Sequence, residues 1–114
     1  MQGKRLDRVN HLIKEEISLL LQRELKDRRL GFVTVTDVET TKDLRSAKVF
    51  VSVLGSEAQW SASLAALESA KGFIRNWLRE HLDLRATPVL DFRADRSMER
   101  AANIQTLLKQ LKHE

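Results

Sequence analysis

The residues best suited to bind a ligand are three cations at four-residue spacing, Lys71, Arg75 and Arg79. At 3.6 residues per turn, such positions lie along one stripe of a helix. Ile74, Trp77 and Leu78 lie on the opposite face, so the helix can bury that face and display the cations on the other. A row of cations suits a row of phosphates, with strongly salt-dependent binding. The alternative is an ordinary solvated helix face.

A second basic cluster, Lys4, Arg5 and Arg8, lies at the start of the first predicted helix. The helix dipole slightly disfavours cations at that end, which makes an external anionic partner more plausible. A solvated helix terminus is the competing interpretation.

Other basic residues have weaker support as binding residues. Arg45 and Lys48 have opposite strand parity, so they need not share a face. Arg28 and Arg29 are explained by the dipole at the end of the first helix. The remaining members of these groups are Lys42, Arg93 and Arg96.

Aromatic side chains that could stack on bases are few. Trp60, Phe73, Trp77 and Phe92 fall on apolar stripes and are predicted to lie in the core. Phe50 is on the outward face of its strand and is the one stacking candidate. A helix packed on that face would explain Phe50 equally well.

The residues give little support for catalysis. His11, His81 and His113 show no metal-ligand spacing, and the chain has no cysteine. Asp91, Asp95 and Glu99 could suggest a Mg²⁺ site. Helix capping explains Asp95 better, and a favourable first-turn position explains Glu99. We therefore expect no enzymatic activity, no cofactor and no metal.

The composition indicates a folded protein. The chain has 114 residues, of which 42% are hydrophobic and 32% charged, and we expect a single domain spanning residues 1–114. No apolar run approaches the ~18 residues of a membrane span, and the N-terminus lacks an apolar signal core. We expect a cytoplasmic protein without membrane contact. The net charge of +4 fits a polyanionic partner.

The first half of the chain reads as a helix followed by two strands. Apolar residues at helical spacing predict an amphipathic helix over about residues 5–27, which Gly31 ends. The segment 32–38 is rich in β-branched residues, and residues 46–53 alternate between apolar and polar. The short connection makes the two strands antiparallel.

The second half predicts two helices, a strand and a final helix. Ser56 and Gln59 match a capping box, and a change of apolar phase predicts a kink near residues 70–72. A strand starts at Pro88, and Asp95 or Ser97 can cap the last helix. The apolar positions of that helix are Ala101, Ile104, Leu108 and Leu111.

This order, α-β-β-α-kink-α-β-α, predicts an α+β fold with a three-stranded sheet and helices packed on one face. The order of the strands in the sheet stays open. The final helix is expected to cover the sheet, and the alternative is a protein-interaction module that uses this helix on a partner.

The pattern resembles a type II KH domain, but the Gly-x-x-Gly loop that clamps nucleic acid is missing. Ala70-Lys71-Gly72 stands in its place. This helix–Ala-x-Gly–helix kink resembles the ribosome-binding factor A family. The hairpin segments 31–38 and 47–52, the block from Pro88 to Ser97, and Arg8-Val9 resemble the same family, so the likeness spans nearly the whole chain.

The resemblance implies a ribosome assembly factor with a KH-like domain. Members of that family bind small-subunit ribosomal RNA in free or immature small subunits, support late maturation and 5′-end processing, and matter in the cold. The implied RNA-binding residues are Lys71, Gly72, Arg75, Arg79, Lys4, Arg5 and Arg8, with the interhelical kink at Ala70 and Gly72. We expect a monomer.

Overall fold

A computed structural model describes residues 2–25 and 27–112, with the side chains of Gln2 and Lys112 left out. His113 lies outside the described residues. The elements are α1 (Gln2–Arg23), β1 (Phe32–Thr40), β2 (Ser46–Leu54), α2 (Glu57–Ser69), α3 (Lys71–His81), β3 (Val89–Ala94) and α4 (Ser97–Lys112). The predicted α+β fold and element order are confirmed. None of the helices in the described ranges has the length and apolar character needed to span a bilayer.

The first helix is shorter at its C-terminal end than the apolar pattern predicted. The backbone N–H groups of Glu24 and Leu25 both donate to the carbonyl of Leu20, at 2.9 and 3.1 Å. Two donors on one carbonyl break the regular i→i−4 ladder, as is common at helix termini. The helix therefore ends at Arg23 and not near residue 27.

The sheet has the strand order β1-β2-β3, which the sequence left open. β1 and β2 are antiparallel, as predicted, and β3 runs parallel to β2. A bulge between Val35 and Asp37 shifts the register of β1. Because side chains alternate along a strand, each strand has one inward and one outward face.

Helices α1, α2 and α3 cover one face of the sheet. The inward residues of β2 are buried, together with apolar side chains of α1, α2 and α3. The main members are Ile13, Ile17, Leu20, Val49, Val51, Leu67, Ile74 and Leu78. The other face of the sheet is open, and its cross-strand pair Phe32 and Leu54 is exposed.

The junction between α2 and α3 is a break at a single residue. Ala70 has φ −88° and ψ 0°, and it ends α2 and precedes α3. Its N–H still donates to the carbonyl of Ala66, so the two helices remain closely coupled. The break lies within the predicted segment 70–72. It occurs at Ala70, whereas Gly72 is already inside the first turn of α3.

The final helix does not cover the sheet, and that expectation was wrong. Apolar side chains of α4 are 54–67% exposed, among them Ile104, Leu107, Leu108 and Leu111. The face that α4 was expected to cover is already occupied by α1, α2 and α3. The described chain is accordingly elongated, with principal extents of 58 × 39 × 19 Å.

The start of α2 supplies a test of this fold. The Ser56 hydroxyl accepts the N–H of Gln59 at 3.3 Å, and the Gln59 side chain accepts the N–H of Ser56 at 2.7 Å. We expect Ser56→Ala to lower the free energy of unfolding by about 1 kcal/mol, because one helix N–H loses its acceptor. Urea unfolding measures this. Ser61→Ala, on the exposed side of α2, should change it by less than about 0.5 kcal/mol, and equal losses would contradict the capping box.

Candidate nucleic-acid interface

Burial of one face of α3 sets the direction of its cations. Ile74 and Leu78 are 0% exposed against the sheet and α1. Residues on the opposite side of the helix must therefore face solvent. This side and the loop before β3 form a shallow groove of about 170 Å³, lined by Gly72, Arg75, Asn76, Arg79 and Thr87.

The three predicted cations differ in their partners. Lys71 Nζ forms an ion pair with Glu68 at 2.7 Å, so a neighbouring carboxylate offsets its charge. Arg75 Nη2 donates to the carbonyl of Thr87 at 3.0 Å, and Arg79 donates to the side-chain oxygen of Asn76. These two acceptors are neutral. Among the described residues no carboxylate forms an ion pair with either arginine, and the nearby Glu80 carboxylate accepts the Asn76 amide N–H at 3.2 Å.

Gly72 leaves the start of α3 open to close approach. A Cβ atom built at this glycine would meet nothing within 4 Å, so packing within the described chain does not require glycine there. The first turn of α3 has no acidic residue and no side-chain cap. The charged side chain of this turn is the cation Lys71, so the turn itself offers an anion no like charge.

The N-terminal basic cluster of Lys4, Arg5 and Arg8 is exposed, but only Arg5 lines a pocket. Arg5 lines a pocket of about 330 Å³ together with Lys42 of the β1–β2 turn and Arg85 of the loop before β3. Lys4 and Arg8 stand on exposed positions of α1. Arg85 was missed by sequence reasoning, because a loop has no periodicity that assigns a direction to a side chain.

Arg93 and Arg96 are both engaged in ion pairs. Arg93 pairs with Asp91 at 2.8 Å on the open face of the sheet. Arg96 pairs with Glu57 at 2.7 Å and lies 4.2 Å from the centre of the Trp60 ring. Their charge is therefore largely offset by neighbouring carboxylates.

One aromatic prediction was wrong. Phe73 is 52% exposed and not in the core, because it lies on the flank of α3 beside Gly72. Trp77 is half-buried, and its Nε1–H donates to Glu16 of α1 at 2.8 Å. Trp60 is buried, whereas Phe50 and Phe92 are half-buried. Phe73 is therefore an exposed aromatic side chain of α3, and the centre of its ring lies 6.5 Å from that of Trp77.

The three acidic residues considered for Mg²⁺ each have a protein partner. Asp91 binds Arg93, Glu99 binds Arg96, and Asp95 accepts the hydroxyl of Thr36 at 2.6 Å. Within the described ranges, no group of three or more metal-binding side chains is close enough to hold an ion. The carboxylates instead fix local structure.

Comparison with known proteins gives a consistent result. The family model for ribosome-binding factor A matches residues 5–108. The chain belongs to the ribosome-binding factor A family. Ribosome-binding factor A of Brevibacillus brevis is 47% identical over 114 residues, covering all of this chain and 94% of the relative. That of Thermomicrobium roseum is 47% identical over 114 residues, covering all of this chain and 88% of the relative.

Solved structures of ribosome-binding factor A show the same architecture. The crystal structure of the Thermus thermophilus protein has a TM-score of 0.72 at 26% identity, covering 81% of this chain and 98% of that one. A homology model of the Thermus thermophilus protein, fitted into the cryo-EM map of a complex of 30S with ribosome-binding factor A, has a TM-score of 0.64 at 28% identity, covering 76% of this chain and 91% of that one. The KH-like fold predicted from the resemblance to ribosome-binding factor A is confirmed.

The environment of Asp95 predicts a pH dependence of stability. The hydrogen bond from the Thr36 hydroxyl, followed by that from the Ser97 N–H, lowers the pKa of Asp95. A carboxyl whose folded pKa is lowered stabilises the fold above its unfolded pKa, and this contribution is lost as pH falls through the folded pKa. We expect Asp95→Asn to lower the free energy of unfolding at pH 7, with the deficit shrinking below about pH 4.

Urea unfolding at pH 7 and pH 3 measures this deficit. Asp83→Asn, at an exposed position, serves as the matched control and should show little change at either pH. A deficit for Asp95→Asn that is equal at both pH values would contradict an ionic role for Asp95.

Proposed function

We propose that this member of the ribosome-binding factor A family binds the small ribosomal subunit through its ribosomal RNA, with the outer side of α3 as the main contact. The observation that carries the proposal is the pair Arg75 and Arg79, which border one groove and bond only neutral acceptors. The Thermus thermophilus relative has been fitted into a map of a 30S complex, which supports the same partner here.

The groove suits a phosphate backbone. A guanidinium presents several N–H donors in a plane, which matches the oxygens of a phosphate. Gly72 has no side chain, which lets an RNA backbone come close to the first turn of α3. Contacts of this kind read the spacing of phosphates and not base identity, so recognition depends on the shape of the RNA.

This mode of recognition fits an assembly factor. Cations that read phosphate positions distinguish an immature from a mature small subunit wherever the RNA backbone is arranged differently. We propose that the chain binds free or immature small subunits, supports late maturation and 5′-end processing of the RNA, and leaves before translation. In this role it acts without catalysis, as a single-domain monomer in the cytoplasm, and its contribution matters most in the cold.

A paired substitution tests the α3 contact. We expect Arg75→Ala with Arg79→Ala to leave the fold intact and weaken co-sedimentation with small subunits. The dependence of log affinity on log salt concentration should become shallower by about 1.4 to 1.8, the loss of two phosphate contacts. Lys71→Ala should have a smaller effect, because Glu68 already offsets that charge.

The matched control removes the same charge around the C-terminal end of α1. Arg23→Ala with Arg28→Ala, both exposed, should leave the salt dependence close to that of the wild type. Large subunits and assembled ribosomes serve as competing particles. Should the Arg75 and Arg79 variant sediment with small subunits like the wild type at every salt concentration, α3 is not the contact. Equal binding to all particles would overturn the small-subunit assignment.

A second candidate function is a protein contact through α4. The apolar residues Ile104, Leu107, Leu108 and Leu111 follow the i, i+3, i+4, i+7 spacing, and all are exposed. This is the pattern of a helix that docks into an apolar groove of a partner protein. We propose a ribosomal or assembly protein with such a groove as the occupant.

Substitutions in α4 test whether that helix belongs to the core. We expect Leu107→Gln with Leu111→Gln to change the free energy of unfolding by less than about 0.5 kcal/mol, because both side chains are already in water. The buried Leu67→Ala should cost about 2–5 kcal/mol. Urea unfolding measures both. A chain lacking residues 97–114 should remain a soluble, folded monomer by light scattering, and aggregation would show that α4 covers the domain itself.

A further inference from the structure

A second concave site lies beside the α3 groove, and its lining combines apolar and cationic side chains. Its apolar part comes from α1, the β1–β2 turn and the loop before β3, and its polar part carries three cations. The lining residues are Leu6, Val9, Leu44 and Ala86, with Arg5, Lys42, Arg85 and Asp43. We propose that this pocket holds an unpaired nucleotide of the same RNA, with the base inside and its phosphates at the rim. The proposal rests on the proposed function.

The charge balance of the pocket favours an anionic ligand. Three cations face a single carboxylate, Asp43. This carboxylate is engaged in the hairpin turn, where it accepts the Thr41 hydroxyl at 2.7 Å and the Arg45 N–H at 3.1 Å. Among the described residues, no carboxylate forms an ion pair with Arg5, Lys42 or Arg85. The rim therefore carries an excess of positive charge.

The apolar lining favours a nucleotide over a phosphate group alone. A phosphate gains nothing from Leu6, Val9, Leu44 or Ala86, whereas a base has two apolar faces that it can bury. The volume of about 330 Å³ lies at the lower end of the range for pockets that hold small organic molecules. Unstacked bases of single-stranded RNA commonly stack on guanidinium planes, which Arg5 and Arg85 supply.

The pocket and the α3 groove are joined by consecutive residues. Ala86 lines the pocket and Thr87 lines the groove, and adjacent Cα atoms lie about 3.8 Å apart. The carbonyl of Thr87 accepts the hydrogen bond from Arg75 at 3.0 Å, which ties this loop to α3. One strand of RNA can therefore follow the α3 groove and place its next unpaired base in the pocket.

Filling the pocket without changing its charge tests this proposal. Ala86→Phe puts a ring where the base would lie and keeps every cation. The probes are a fluorescent single-stranded RNA 12-mer and a 12-mer of the same backbone with abasic nucleotides, measured by fluorescence anisotropy. We expect Ala86→Phe to weaken binding of the base-bearing strand about tenfold, the size of one good base contact, and to leave the abasic strand unaffected.

Two further variants keep the test decisive. Ala102→Phe, at an exposed position of α4, is the matched control and should bind both strands like the wild type. Arg85→Lys keeps the charge and removes the planar stacking surface. It should weaken only the base-bearing strand, and it replaces Ala86→Phe if circular dichroism shows that variant to be unfolded.

The outcomes separate this proposal from the proposed function. Equal losses on the base-bearing and abasic strands would mean that the pocket recognises phosphate only, which overturns the nucleotide assignment. No loss on either strand, while Arg75→Ala with Arg79→Ala abolishes binding, would remove the pocket and leave the α3 contact intact. If the arginine variant also binds both strands normally, the α3 contact itself is wrong.

Discussion

The structure depends on the complete burial of Ile74 and Leu78 beneath α3. Two fully buried side chains one turn apart fix the rotation of the helix, because turning it by one residue would swing Arg75 into the apolar core. The break at Ala70 makes this possible, since α2 and α3 can each bury their own face at their own angle. The exposed cations are thus a consequence of core packing. A surface held in this way needs little reorganisation when it meets a rigid array of phosphates, which lowers the cost of binding.

Contacts with the rest of the domain also set the direction of α4, but they leave its apolar side chains exposed. The residues just before this helix are held tightly, because Asp95 bonds Thr36 and Arg96 lies against Trp60 while pairing with Glu57. Beyond this anchor, the large apolar side chains of α4 are more than half exposed. The domain therefore presents an apolar helix in a defined direction. The family match extends to residue 108, so most of α4 belongs to the shared part of these proteins.

The helices and strands and their order along the chain could be predicted, because alternating and helical apolar patterns mark strands and helices directly. The capping box at Ser56 and the break within residues 70–72 are local features that need no tertiary information.

The position of α4 could not be predicted, since a pattern shows that a helix has an apolar face but not what covers it. Phe73 lies at the edge of the apolar face of α3, where helical periodicity alone does not distinguish a buried side chain from an exposed one. The ion pair between Lys71 and Glu68 could have been predicted from the sequence, because opposite charges three residues apart on a helix lie close together.

The distribution of charge explains why the helical side of the molecule, and not the open sheet, suits RNA. On the open sheet face, Glu39 stands opposite Lys48 in the register, and Asp91 pairs with Arg93. Cations there are matched by neighbouring acids, so a polyanion would gain little and would meet carboxylates. Around α3 and the loop before β3, the arginines have neutral acceptors or open solvent. A net charge of +4 would be only weakly attractive if spread evenly. Separation of matched charges from unmatched ones concentrates that attraction on one side and gives the domain a preferred orientation on RNA.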